Sequence, residues 1–142
     1  MQERILLLTH GGWGSALLRG VEMVIGKMDF VDEIALGPQD TFSEFENKVE
    51  TWVTGKGQDG ENQIHITIFT DMFGGTPTNA AIFVARRHPG LVSVITGVNA
   101  PVLLEACSQV TFCGGLDIRQ LLKNSEHSIF DAMEKIHKEG VQ

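Results

Sequence analysis

The sequence predicts an α/β fold: a doubly wound, mainly parallel sheet of four or five strands in the order 2-1-3-4, with helices on both faces. Three observations carry this expectation. Apolar runs of strand length alternate four times with stretches whose apolar residues recur at helical spacing. The runs are continuous, as Ile5-Leu6-Leu7-Leu8 shows, which is the pattern of strands covered on both faces. The chain has 142 residues, 42% of them hydrophobic and 20% charged, which suits a single globular domain over 1–142 able to bury its own core.

The elements follow in order. A first strand is expected over Arg4–Thr9, then a helix from about Ser15 to Ile25 with Leu17, Val21, Val24 and Ile25 on one face and Gly26 as its stop. Val31–Leu36 reads as the second strand, closed by Gly37-Pro38. Thr41-Phe42-Ser43-Glu44 is a capping box, in which the Thr oxygen accepts a backbone N–H and the Glu reaches back to the cap. Behind it Phe42, Phe45, Val49, Trp52 and Val53 share one helical face. "TGKGQDGEN", 54–62, is a loop by its glycines and charges.

Ile64–Thr70 is the third strand. Pro77 suits the first turn of the next helix, with Thr76 as its candidate cap and Ala80, Phe83 and Val84 facing inward. Leu91–Thr96 is the fourth strand, and Pro101 opens a helix running to about Ser108, with Asn99 just upstream. Residues 109–125 match no single template, and "QVTFCGG" reads as a short strand or an irregular turn. Ser128–Glu139 is the last helix, carrying Ile129, Met133 and Ile136 at helical spacing, and Gly140 ends it.

Composition narrows the function classes. Eleven Lys and Arg against 18 Asp and Glu give a net charge of −7, which argues against nucleic-acid binding and suits a partner with a basic or apolar docking face. No apolar run reaches the 18 residues or so of a membrane span. The N-terminus goes straight into a strand without a basic segment, so no signal peptide is expected. Cys107 and Cys113 match no usual zinc spacing and read as buried thiols of a cytoplasmic protein.

In open parallel sheets, ligands bind beyond the carboxyl ends of the strands where strand order reverses. For the order 2-1-3-4 that point lies between strands one and three, which end in His10 and Asp71. A carboxylate that accepts a hydrogen bond from one ring N–H fixes the tautomer of a histidine and frees the other nitrogen as a nucleophile. Gly11, Gly12 and Gly14 after the first strand, and Gly74-Gly75-Thr76-Pro77 after the third, let backbone amides approach an anion. Two such cradles around one oriented histidine point to phosphoryl transfer through phosphohistidine. Read singly, the features are bland: a strand-end His is often structural, such glycines often only form turns, and Thr76 is a candidate cap. Trp13 is a core residue or a docking anchor at the rim. His65 reads as a strand residue, His88 as a loop residue before Pro89, and His127 and His137 as surface positions.

"THGGWGSALLRGVEMVIG", "DMFGGTPTNAA" and "TGVNAPVLLEA" together resemble the signature stretches of the mannose-family enzyme IIA domain of the bacterial phosphoenolpyruvate-dependent sugar phosphotransferase system. The similarity runs from the N-terminus to about residue 106. It implies a cytoplasmic phosphocarrier in which His10 takes phosphate from the phosphocarrier protein HPr and passes it to enzyme IIB, with membrane permease subunits as indirect associates. Asp71 matches the orienting carboxylate. Thr76 stands where many members have serine, and Thr9, Gly75 and Asn99 match positions near the site. No metal or organic cofactor is implied. A homodimer is expected, with contact from helix faces, because after Gly140 only Val141 and Gln142 remain where larger members begin an exchanged strand. Met23, Met28, Phe30 and Val110–Phe112 are its candidate surface.

Other readings keep the same residues. A regulatory phosphohistidine domain of the family, tied to dihydroxyacetone phosphorylation or to transcription control, would use the same chemistry. A non-catalytic anion-binding module would carry an inert His10. A response-regulator-like receiver needs an acidic pair after the first strand, where this chain has Thr9-His10.

Overall fold

Strand β1, Gln2–His10, is flanked on both sides by other strands. Its residues Ile5–His10 pair in parallel with Val31–Leu36 of β2, and Gln2–Leu8 pair in parallel with Ile64–Thr70 of β3. β4, Val92–Thr96, adds to the outer side of β3. The order is therefore 2-1-3-4 and the sheet has four strands. The structure is a computed structural model that describes residues 1–58 and 60–140. Asp59, in the expected loop, and Val141 and Gln142, past the last helix, lie outside the described residues.

Alternate side chains of the central strands enter two cores, as the pleat requires. Ile5, Leu7, Phe69 and Ile95 meet Val21 of α1 (Trp13–Ile25), Val102 and Leu103 of α4 (Ala100–Ser108) and Leu121 of α5 (Ile118–Ser125). Leu6, Leu8, Ile66 and Ile68 meet Phe45, Val49 and Val53 of α2 (Phe42–Lys56) and Ala80, Ala81 and Val84 of α3 (Thr76–Arg87). Ile5 to Leu8 are fully buried, which is why that run shows no alternation. The capping box forms as expected at Thr41 and Glu44. Gly14 lets α1 lie close on β1: a Cβ there would sit 3.1 Å from Thr9 Oγ1 and 3.4 Å from Leu7 Cβ.

The structure differs from expectation at several places. α2 continues through Lys56 into the expected loop. Val24 and Phe83, expected to face inward, are exposed. The undecided 109–125 region is neither strand nor irregular: α4 runs on as a π-helical turn over Gln109–Cys113, ended by Gly114 in the left-handed region, and α5 follows. Asp117 caps α5 by accepting the Gln120 N–H. The last helix, α6, is Ala132–Glu139 and starts four residues later than Ser128. Asp131 sets its start by accepting the Met133 and Glu134 N–H groups. Cys107 is buried, and burial, then the nearby Glu22 charge, push its thiol up to about 12. Cys113, expected to be buried, is exposed.

Candidate active site at the ends of strands β1 and β3

Because β1 and β3 are adjacent and parallel, the residues leaving their carboxyl ends meet although 61 positions separate them. Asp71 Oδ2 accepts two hydrogen bonds, from the His10 backbone N–H and from His10 Nδ1–H, both at 2.7 Å. Its other oxygen accepts the Met72 N–H at 2.8 Å. The Asp71 side chain is only 7% exposed, and that of His10 is 40% exposed. Burial pushes the Asp71 carboxyl up, but the His10 amide, the His10 ring N–H, the Met72 amide and the His10 charge together hold it below the usual carboxylate value. An ionised carboxylate only accepts, so Nδ1 carries the proton and the lone pair of the neutral ring sits on Nε2.

The ring edge faces Gly75. A Cβ there would lie 3.0 Å from His10 Cε1 and 3.7 Å from Nε2, so only a glycine lets the start of α3 come this close without moving the ring. Gly75, in extended backbone, is the N-cap of α3, and Thr76 is its first helical residue. The expected cap at Thr76 is therefore corrected: the chain needs a residue without a side chain at the cap, next to His10. Gly74 turns the loop at φ +90°. On the other strand end, Gly11 takes φ +51° and its N–H donates to the Leu36 carbonyl at 2.9 Å, so it shapes the turn. Gly12 is the N-cap of α1. Thr9 is buried and its hydroxyl accepts the Gly14 N–H at 2.8 Å, holding the first turn of α1 to the strand end. Asn99 caps α4 by accepting the Val102 N–H and donates one of its two amide N–H groups to Ser128 Oγ.

A family model described as "PTS system fructose IIA component", PTS being the phosphotransferase system, matches residues 4–123. The chain belongs to this IIA family. It is 32% identical over 111 residues to the mannose-specific EIIAB component of Escherichia coli, an alignment covering 74% of this chain and 31% of that protein. It thus spans about a third of the length of the curated relatives it matches. Among solved structures it is similar to the PTS IIA protein associated with the fucose utilization operon of Streptococcus pneumoniae, with a TM-score of 0.82 and 25% identity over 96% of this chain and 97% of that one. The phosphotransferase system component EIIA of Streptococcus agalactiae shares the fold at a TM-score of 0.75 and 22% identity, over 92% of this chain and 97% of that one.

In this IIA chain exposed apolar side chains lie beside the histidine and on the loop after Asp71. Trp13 stands edge-on to His10 with ring centroids 6.0 Å apart and is 53% exposed, so of its two readings the rim position holds. Met72 and Phe73, on the loop after Asp71, are also exposed. An apolar groove of about 880 Å³ runs from Thr9 and Asp71 between α1 and α4, lined by Trp13, Leu17, Val21, Val24, Val98 and Leu104. The other histidines that bond to a side chain do so away from this point: His65 to Glu3 and Ser93, and His88 to Glu50. Sequence reasoning missed one feature beside the candidate site, a cluster of the Thr70, Thr78 and Thr96 hydroxyls beneath the Asp71 loop. Strand-end threonines at 70 and 96 were its only signal. Among the described residues no three His, Cys, Asp or Glu side chains converge as a metal site, and no helix is long and apolar enough to cross a membrane.

Proposed function

We propose that this chain is a phosphocarrier of a sugar phosphotransferase system: His10 accepts a phosphoryl group from phosphorylated HPr and passes it to enzyme IIB, which serves sugar uptake through membrane permease subunits. Family membership supports the system, and one observation supports the residue. Asp71 Oδ2 holds both the backbone and the ring of His10, leaving the Nε2 lone pair free on a side chain that is 40% exposed. In the transfer, Nε2 attacks phosphorus, the new N–P bond forms as the donor's N–P bond breaks, and the donor imidazole leaves with the electron pair. The proton on Nδ1 stays with the ring, and Asp71 stabilises the positive charge that substitution at Nε2 creates.

The phosphoryl oxygens then face the start of α3, where Gly75 and Thr76 offer backbone N–H groups and Thr76 a hydroxyl, and the turn of Gly11 and Gly12 opposite, where Gly12 is the better placed because the Gly11 amide is engaged. Thr9 and Asn99 act by fixing the turns on either side. With a net charge of −7 the chain favours a donor with a basic face, and Trp13 and Phe73 supply apolar contact around the reacting nitrogen. We read residues 1–142 as a single cytoplasmic IIA domain that works as a homodimer.

The test is incubation with phosphoenolpyruvate, enzyme I and HPr. The chain should gain one phosphoryl group, stable to base and lost in acid, and His10→Ala should gain none. A phosphorylated His10→Ala protein would overturn the assignment.

A further inference from the structure

Thr78 Oγ1 lies 2.5 Å from the Met72 carbonyl, 2.7 Å from Thr70 Oγ1 and 3.3 Å from Thr96 Oγ1, and Thr78 is 1% exposed. A hydroxyl has one proton and two lone pairs. The carbonyl can only accept, so the Thr78 proton goes to Met72, and the Thr70 and Thr96 hydroxyls must both donate to Thr78. All the capacity of this oxygen is used, and the direction of every bond is fixed.

The consequence runs through Met72 to the histidine. The Met72 carbonyl is tied down by Thr78, and the Met72 N–H donates to Asp71 Oδ1. Fixing the Met72 backbone therefore fixes the rotation of the Asp71 carboxylate, and that rotation brings Oδ2 to the His10 amide and to Nδ1–H. We infer that Thr78 is a positioning residue for phosphoryl transfer, acting through Met72 on the Asp71–His10 pair. It touches neither phosphate nor ring. Its place at the third helical position of α3 also couples the loop to the helix whose first residues border Nε2. Thr96, by contrast, donates into the cluster but makes no bond to the loop, so removing it leaves the Thr78–Met72 bond in place.

This inference rests on the phosphocarrier reading for its activity readout, and a second readout is independent of it. Three variants are compared with the wild-type chain: Thr78→Val, which keeps the shape and removes the hydroxyl, Thr78→Ser, which keeps the hydroxyl, and Thr96→Val. The rate of phosphorylation by phospho-HPr should fall at least tenfold in Thr78→Val and stay within about threefold of wild type in Thr78→Ser and Thr96→Val. The His10 ring is also observed by ¹⁵N NMR in the unphosphorylated proteins, where the two ring-nitrogen shifts report which nitrogen carries the proton. Thr78→Val should weaken the preference for the Nδ1–H form that Asp71 holds, and the other two should keep the wild-type pattern. Should Thr78→Val fail to fold, Thr78→Cys, with a weaker donor of similar size, takes its place with the same expected direction.

A Thr78→Val or Thr78→Cys protein with the wild-type rate and ring-nitrogen shifts would overturn the inference. So would a Thr96→Val protein as impaired as Thr78→Val, since the cluster would then act only by general stability. If the wild-type chain takes no phosphate, the phosphocarrier reading falls, while the ring-nitrogen shifts still decide the role of Thr78.

Discussion

Asp71 has two oxygens and three N–H donors aimed at them, two from His10 and one from Met72. This makes Asp71→Asn a harsher change than its size suggests. An amide has one oxygen and one NH₂, so whichever way it points, an N–H faces another N–H. The variant should lose about 1–3 kcal/mol of stability for the unpaired groups, read from denaturant unfolding. Its phosphoryl acceptance should fall roughly ten- to a hundred-fold, because the charge that favours a substituted imidazole is gone. The pH dependence has a definite sign. Asp71 is held below its ordinary value in the folded chain, so its stabilising contribution is present above the unfolded carboxylate pKa of about 3.9 and is lost as pH falls through the lower folded value. Asp71→Asn should flatten that acid limb of the stability curve. A variant with the wild-type rate would show that Asp71 does not orient the histidine.

At the scale of elements, the two strand-to-helix turns solve one problem in different ways. Gly11 and Gly74 are needed for their left-handed backbone, whereas Gly75 has φ −87°, which any residue adopts, and is needed for space. Gly75→Ala should accordingly keep the fold and its melting temperature within a few degrees. Its methyl presses on Cε1 and crowds Nε2, so phosphorylation should fall at least tenfold. An unimpaired variant would show that the ring has room to move aside. These turns were legible in the sequence because their signals are local: an apolar run ending in His10 or Asp71, glycines, then a helix. The π-helical turn was not, since Val110, Thr111 and Phe112 have strand-forming side chains and only the packing of Val110 on the core, with the helical run from α4, keeps them helical. α5 was obscured by its brevity, although Asp117 and Gln120 spell its start. The threonine cluster was beyond reach, because its meaning exists only once two strand ends and a helix start converge.

For the whole molecule, α6 is the element in question. It has eight residues and none of them is buried, while Ile129, Phe130, Met133 and Ile136 present apolar surface. An isolated helix shorter than about 12–15 residues is marginal in water, so α6 needs cover. Of the surfaces expected to join two copies, Met28, Phe30 and Val110 are half-buried and pack in part on their own core, and Met23 and Phe112 are exposed. The proposed homodimer is therefore expected to use α6 and the apolar side chains just before it, set against a second copy away from the His10 rim. Each fully buried side chain of this kind removes about 60–120 Å² from water. Four per copy, with equal loss from the surface they cover and both copies counted, give roughly 1,000–2,000 Å², which clears the ~1,000 Å² a lasting interface needs. Light scattering at micromolar concentration should show a dimer, and Ile129→Asp with Met133→Glu should convert it to a folded monomer. A monomeric wild-type chain would sink the dimer. The register of β1 on β3 has one more effect, on how the molecule comes into being. Residues some sixty positions apart must close a long loop before the centre of the sheet exists, a slow and entropically costly contact of high sequence separation. The same closure brings the carboxylate to the histidine. On the phosphocarrier reading proposed above, a chain in which β1 and β3 have not yet paired holds no oriented nucleophile, so the capacity to take phosphate would arrive together with the core.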